Sequence, residues 1–314
     1  MKRTLVKILS SMRVLLCLIL FFTVYPFNIH TAAAGDETRP ETSVLQQMQT
    51  RRLGKTGKEI PLFSLGGAYI GRQGNFQKEI DVINRAIDMG VKYIDTSPRY
   101  VGGLSERYIG HVMKTRRNEV FLTDKCHDFT YDGAMRLVQR SLRNLQTDHL
   151  DLYLHHGVFN ENQLEEVTSE RGALKAFLEL KEKKVVNYIG MSSHSPKILL
   201  KALDLGVYDC MVVTLNPAGD AMLDRPYLDE FMKKAAEKGV GVIAIHTAGG
   251  GKLLRYGVRM EDLLRYALSY PVTTAVVSVS EIWHVEENVM SAANFKSMTV
   301  EEKSKLENIF SPKK

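Results

Sequence analysis

Eight short apolar runs separated by amphipathic stretches constrain this chain more than anything else in its 314 residues. The runs cover residues 61–66, 92–96, 120–124, 150–155, 187–192, 210–215, 241–246 and 274–279. Most are rich in Val, Ile and Leu, the composition of parallel strands buried on both faces. Helices are expected between them over residues 78–89, 131–145, 172–183, 196–205, 228–238, 260–269 and 285–293. In residues 131–145, Met135, Val138, Leu142 and Leu145 recur at steps of three and four, which puts them on one helical face. Gly90, Gly206 and Gly239 stand at helix ends. Strands and helices alternating in this way predict an α/β chain folded as a (β/α)8 barrel, a fold of roughly 250 residues. The rival, an open doubly wound sheet, would carry GxGxxG after its first strand. Here that strand ends Leu65-Gly66-Gly67-Ala68-Tyr69-Ile70-Gly71, which has the glycines at the wrong spacing.

The net charge of +6 misleads. Lys2, Arg3, Lys7 and Arg13 lie in a leader without acids, and without them 38 basic residues face 36 acidic ones. No basic stripe with interleaved aromatics remains, so nucleic acid is not an expected partner. The leader runs from those basic residues through an apolar stretch, residues 14–24, to Ala32-Ala33-Ala34-Gly35. That is the layout of a secretory signal peptide cleaved after Ala34. The apolar stretch is short beside the ~20 residues of a membrane span, so no stable span is expected after cleavage. An uncleaved leader would instead anchor the chain, with the folded domain still outside the cytoplasm. The expected organisation is a signal peptide over residues 1–34, a polar tether over 35–50 and a barrel over 51–314. A tight hairpin at Arg52-Leu53-Gly54-Lys55-Thr56-Gly57 opens the barrel. Cys17 belongs to the leader, whereas Cys126 and Cys210 are placed at opposite ends of the barrel and are expected to be unpaired. With no CxxC, a cysteine-ligated zinc or iron–sulfur site is not expected.

Barrels of this kind place their chemistry where strands end. Those ends offer Asp95 and, just beyond, Tyr100; Lys125; His155 and His156; Ser192, Ser193 and His194; and His246. Asp95, Tyr100, Lys125 and one of the two adjacent histidines form a coherent set for reducing a carbonyl. Hydride addition builds negative charge on oxygen, which needs a proton donor. A phenol with its ordinary pKa near ~10 donates slowly at neutral pH, and a neighbouring ammonium stabilises the phenolate and lowers that pKa. A carboxylate keeps the lysine charged and in place, and an imidazole can hold the substrate oxygen. Taken singly, each has a plainer reading: Asp95 as a helix N-cap, Tyr100 as a loop aromatic, Lys125 as a surface lysine and His156 as a core histidine. Successive strand residues face opposite ways, so only one histidine shares the site's face.

The segment Ile94-Asp95-Thr96-Ser97-Pro98-Arg99-Tyr100 followed by Ser105-Glu106 resembles the DT-x-x-x-Y…SE segment of the aldo/keto reductases. Val120-Phe121-Leu122-Thr123-Asp124-Lys125 is similar to that family's lysine motif, and Asp151-Leu152-Tyr153-Leu154-His155-His156 to its DLYLxH motif. The resemblance covers roughly residues 52–293. It implies an NAD(P)H-dependent oxidoreductase acting on a small carbonyl compound. Tyr100 would be the proton donor, Asp95 and Lys125 its support, and His156 the residue orienting substrate, which leaves His155 a structural role.

Gly190-Met191-Ser192-Ser193-His194 resembles the family's GxSN segment, which implies contacts from Ser192 and Ser193 to the cofactor's carboxamide. Ser193 stands where asparagine is usual. Gly249, Gly250 and Gly251 let backbone N–H groups approach a pyrophosphate, and Lys252 adds charge. The stretch from Val277 through Ser280, Trp283 and His284 to Glu287-Asn288 is similar to the family's adenine-binding segment, although Val277-Ser278 replaces its Pro-Gly. Ile245 stands where many members carry an aromatic residue against the nicotinamide. Lys252 and His284 are the only nearby cations. NADPH is expected by family habit, with NADH as the alternative. Two other readings compete with a reductase: an exported cofactor-binding barrel with little turnover, and a metal-dependent hydrolase using Asp95, His155 or His156, His194 and His246.

Overall fold

The computed structural model describes residues 47–311, so the leader and most of the expected tether lie outside the described residues. The described chain opens with an antiparallel hairpin, β1 (Thr50–Arg52) and β2 (Glu59–Pro61). Between its strands, Gly57 leaves a short 3-10 turn at φ 76°, a conformation glycine adopts without steric cost. The barrel follows: β3 (Phe63–Gly66), β4 (Tyr93–Asp95), β5 (Phe121–Cys126), β6 (Leu150–His156), β7 (Val186–Ser193), β8 (Cys210–Thr214), β9 (Gly241–Ile245) and β10 (Thr274–Ser278). All pairings are parallel and run in chain order, and β10 returns to β3 to close the (β/α)8 barrel expected from the sequence.

Every barrel strand is followed by helix. In order these are α1 (Phe76–Asp88), α2 (Leu104–Arg116), α3 (Tyr131–Leu145), α4 (Glu161–Thr168), α5 (Ala173–Glu182), α6 (Pro196–Leu203), α7 (Leu228–Glu237), α8 (Met260–Leu268) and α9 (Ile282–Ala293); α10 (Val300–Phe310) ends the described chain. Helices α2, α4 and α10 do not stand out in the sequence. The buried face of α2 includes Ser105, Glu106 and Gly110, so its apolar stripe is diluted, and α4 and α10 each bury a single side chain, Val167 and Leu306. Among the described residues no helix is long and apolar enough to cross a membrane.

Strand parity divides the core in two. Leu122 on β5, Tyr153 on β6 and Ile189 and Met191 on β7 point outward into the layer beneath the helices. Tyr93, Phe121, Leu152, Leu154, Val212 and Ile243 point inward and fill the barrel with Leu53 and Ile60 of the hairpin region. Tyr93 and Phe121 stack with ring centroids 5.4 Å apart. The hairpin lies across the N-terminal ends of the strands. Lys55 N–H donates to Gly239 O (2.7 Å), and the Thr273 hydroxyl donates to Arg52 O (3.2 Å). Arg51 fastens it further, donating to Leu268 O, Tyr270 O and Val272 O at 2.7–3.3 Å. Residues ahead of the hairpin pack against the barrel: Met48 is buried in the core, and Gln49 O accepts from Leu62 N–H (3.0 Å). Cys126 and Cys210 are both free and buried.

Candidate active site

The same parity that fills the lower barrel with apolar side chains carries three polar ones inward at the upper end. Asp95 lies two residues beyond Tyr93, Lys125 four beyond Phe121 and His156 two beyond Leu154, each on the inner face of its strand. Asp95 and Lys125 are buried, at 3% and 1% exposure. The Lys125 ammonium donates to the Asp95 carboxylate, to Thr96 O (2.8 Å) and to the Tyr100 hydroxyl (3.3 Å), which uses all three of its protons. It also lies 4.8 Å from the centre of the Tyr100 ring. The His156 ring meets the Tyr100 ring edge-on at 5.9 Å, and its Nδ1 is 3.2 Å from Ser97 Oγ. The four residues singled out in the sequence therefore meet at one place.

Tyr100 reaches it from a strained turn. Val101, Gly102 and Gly103 follow at φ 49°, 65° and 91° before the chain enters α2. A β-branched residue at positive φ is costly, and such strain persists only where surrounding structure imposes it. The Ser105-Glu106 pair of the motif serves as scaffold. The Ser105 hydroxyl donates to Gly67 O (2.8 Å) and lies 2.8 Å from Thr96 Oγ1, while Glu106 accepts from Ser141 (2.6 Å) and Asn144 (2.8 Å) on α3.

Burial raises the Tyr100 phenol above its ordinary pKa, and the Lys125 charge only partly opposes this. The sequence expectation of a lowered phenol fails because burial outweighs the ammonium, and Asp95 beside Lys125 adds to the rise. Burial pulls Lys125 downward, but Asp95 and Tyr100 outweigh it and the ammonium is held above its ordinary value. Burial, followed by the charge of Lys125, pushes His156 down to about 3. His155 is likewise pushed to about 3 by burial, but it occupies the outer face, stacked on Phe177 at 3.9 Å and 9°. It is the structural member of the pair.

A groove of about 530 Å³ leads from Asp95 and Tyr100 across the ends of β9 and β10. Of the expected cofactor residues, Gly250, Gly251, Ser280, His284, Glu287 and Asn288 line it. The Tyr69 hydroxyl donates to Gly250 O (2.9 Å) at its edge. Four expected residues do not line it. Ser193 shares the outward parity of Met191, and its hydroxyl accepts from Ser195 N–H (3.0 Å). Ser192 faces inward opposite His156 but stops short of the groove. Gly249 is buried beneath its turn, where an added Cβ would meet Asp220 Oδ2 at 2.9 Å, and the Lys252 ammonium turns to the same Asp220 (3.8 Å). Sequence reasoning missed Tyr69, Thr247 and Arg259, which also line the groove. Arg259 precedes α8 instead of ending a strand, so a reading of strand ends passes over it. His246 joins Ile245 on the groove wall, at φ 56°.

The model of the aldo/keto reductase family matches residues 62–264. The chain belongs to the aldo/keto reductase family. Its similar relatives include the uncharacterized oxidoreductase YqkF of Bacillus subtilis (strain 168), 25% identical over 81% of this chain and 94% of that protein. The L-galactose dehydrogenase of Arabidopsis thaliana is 24% identical over 86% of this chain and 97% of its own length. Among solved structures, aldo-keto reductase AKR11C1 from Bacillus halodurans (holo form) superposes with a TM-score of 0.69 at 24% identity, covering 83% of this chain and 96% of that one. An aldo-keto reductase from Klebsiella pneumoniae in complex with NADPH gives 0.67 at 22% identity, covering 85% and 96%.

As an aldo/keto reductase, the protein is an NAD(P)H-dependent oxidoreductase, and the groove fits a dinucleotide. Thr247 Oγ1 and Asn288 Oδ1 are buried on its walls without hydrogen-bond partners among the described residues. A buried polar atom left unpaired is costly, so such atoms mark places where a ligand group can bond. Gly250, at φ 66°, presents backbone without a Cβ beside Tyr69. The hydrolase reading finds no ligand set: among the described residues no three His, Cys, Asp or Glu side chains are placed to share a metal ion. His194 and His246 do approach, with ring centroids 4.9 Å apart, but Asp95 is engaged by Lys125 and His155 faces away.

Proposed function

We propose that the protein reduces an aldehyde or ketone with NADPH, Tyr100 giving its proton to the carbonyl oxygen. The observation that carries this reading is the hydrogen-bonded line Asp95–Lys125–Tyr100 opening onto a groove whose walls carry the unpaired Thr247 Oγ1 and Asn288 Oδ1. Asn288, Glu287, His284 and Ser280 would hold the adenine half, the turn at Gly250 and Gly251 the pyrophosphate, and Thr247 and Asp95 would flank the nicotinamide end. Once bound, the reduced nicotinamide supplies the hydride. NADPH is favoured by family habit and by the NADPH named with the Klebsiella structure.

The residues divide the work simply. Burial keeps the Tyr100 phenol protonated at neutral pH, so the proton is present and its release depends on stabilising the phenolate. As its proton leaves, the Lys125 ammonium at 3.3 Å faces the growing phenolate charge, and Asp95 keeps that ammonium in place. His156 stays neutral. Ser97 Oγ accepts from Arg99 N–H (3.2 Å) and can give its own proton to His156 Nδ1. With that bond made, the imidazole proton would sit on Nε2, where it can steady the substrate oxygen.

We further propose that the protein works outside the cytoplasm after its leader is removed, on the strength of the basic, apolar and small-residue segments in residues 1–34. The test uses the protein from residue 35 onward, mixed with NADPH or NADH and a panel of small aldehydes, following loss of the reduced cofactor. Turnover with NADPH supports the reading. Saturable quenching of Trp283 fluorescence without turnover would instead identify a cofactor-binding barrel. Fractionation of cells making the full chain, with the mass of the mature N-terminus, tests export.

A further inference from the structure

The substrate side of Tyr100 differs in charge from the cofactor side. Arg99, the residue before Tyr100, is exposed, and no carboxylate oxygen among the described residues lies within ion-pair distance of it. Its backbone N–H bonds the Ser97 hydroxyl that also meets His156 Nδ1, so the residue stands at the rim of the site. Arg140 joins it there, donating to Pro98 O (3.2 Å). Their charges reach the interior of the mouth. His127 is pulled below its ordinary pKa first by burial and then by Arg99 and Arg140, and Arg99 adds to the lowering of His156 after burial and Lys125.

The neighbouring carboxylates are already engaged. Asp95 is tied to Lys125. Asp128 accepts from the Thr130 hydroxyl (2.6 Å) and backbone (3.0 Å) and faces Arg136 (3.5 Å). Glu106 is bonded to Ser141 and Asn144. By contrast, Arg259 in the groove is paired with Glu261 (3.0 Å) and Asp262 (3.1 Å). A rim cation without a partner, beside a site whose own charges are balanced, attracts anions and can bond a carboxylate or phosphate through two parallel N–H donors.

We propose that the substrate is a small carbonyl compound bearing a carboxylate or phosphate, and that Arg99 is the residue that selects it. This rests on the reductase reading above and adds a substrate class to it. Arg99 is a specificity residue: it bonds the part of the substrate that does not react, while Tyr100 and His156 hold the carbonyl.

The experiment compares matched pairs with NADPH at low ionic strength: succinic semialdehyde against butanal, and glyceraldehyde 3-phosphate against glyceraldehyde. The wild type is expected to favour at least one anion over its neutral partner by about tenfold in kcat/KM, the effect of one charge-assisted hydrogen bond. The pair showing the preference separates a carboxylate reader from a phosphate reader. In Arg99→Gln that preference falls about tenfold, chiefly through KM; Arg99→Lys restores part of it, and added salt weakens it in the wild type. Equal use of both members of each pair, or a preference that survives Arg99→Gln, overturns the proposal while leaving the reductase reading intact. Absence of turnover with any carbonyl fails the reductase reading first.

Discussion

The two ends of the barrel are built from the same inward-facing strand positions, yet they do opposite things. At the lower end those positions hold Tyr93, Phe121, Leu152 and Ile243, and the hairpin covers them with Leu53 and Ile60. At the upper end inward positions of the same strands hold Asp95, Lys125 and His156. The lower tier gains free energy by leaving water, whereas the upper tier loses free energy unless its charges find each other. The difference shows that one strand pattern serves stability or chemistry according to height along the barrel, and that the two can be perturbed separately.

The largest expected effect is at the upper end. Tyr100→Phe should lower carbonyl reduction by about 10²–10⁴-fold, the usual worth of a positioned acid, while cofactor affinity by fluorescence titration stays close to wild type. The wild-type rate should show no limb near the ordinary histidine pKa of about 6.5, since His156 is pushed to about 3. It should fall only as pH rises past the ordinary phenol value near ~10, because the raised Tyr100 keeps its proton until then. A rate that titrates near neutrality would assign the proton to another group.

Lys125→Met tests whether the upper tier is also structural. It strands Asp95 in the barrel, and stability in denaturant should drop by about 3–5 kcal/mol together with the loss of rate. Asp95→Asn combined with Lys125→Met should recover stability without recovering rate. At the lower end, Leu152→Ala should cost about 2–5 kcal/mol through its cavity, yet the folded protein should keep its kcat. Loss of kcat there would mean that the two ends are coupled.

The smaller effect concerns His155, which shares a strand with His156 but belongs to the outer layer. Its pKa is pushed to about 3 by burial, so the unfolded chain binds a proton between pH ~6.5 and ~3 that the folded chain does not. Its share of stability is therefore complete above pH ~6.5 and is lost as pH falls through that window. His155→Phe, which keeps a ring against Phe177, should leave stability at pH 8 nearly unchanged and raise it relative to wild type by about 2 kcal/mol at pH 5. Equal melting shifts at both pH values would show that packing, not protonation, sets the difference.

Sequence made the barrel legible because parallel strands buried on both faces leave continuous apolar runs, and all eight expected runs became strands. The four residues of the candidate site were legible because they lie on or beside consecutive strand ends, where position in sequence maps simply onto position in space. Three things were not. Helix α2 hides behind a buried face of Ser105, Glu106 and Gly110. Arg259 enters the groove from the start of a helix. Ser193 matches a motif position, yet strand parity turns it away from the barrel interior. The rise in the Tyr100 pKa was also invisible, because it depends first on how deeply the folded barrel buries the phenol.

The bond from Tyr69 to Gly250 O joins the turns after β3 and β9, the two strands that flank β10, and both residues line the groove. A dinucleotide laid along the end of β10 would have to thread beneath this bridge or open it, so residence time would be governed by the bridge and not by diffusion. Tyr69→Phe should then hasten release of NADPH a few-fold in a stopped-flow displacement, and where release limits turnover it should raise kcat. An unchanged release rate would show that the cofactor enters by another side.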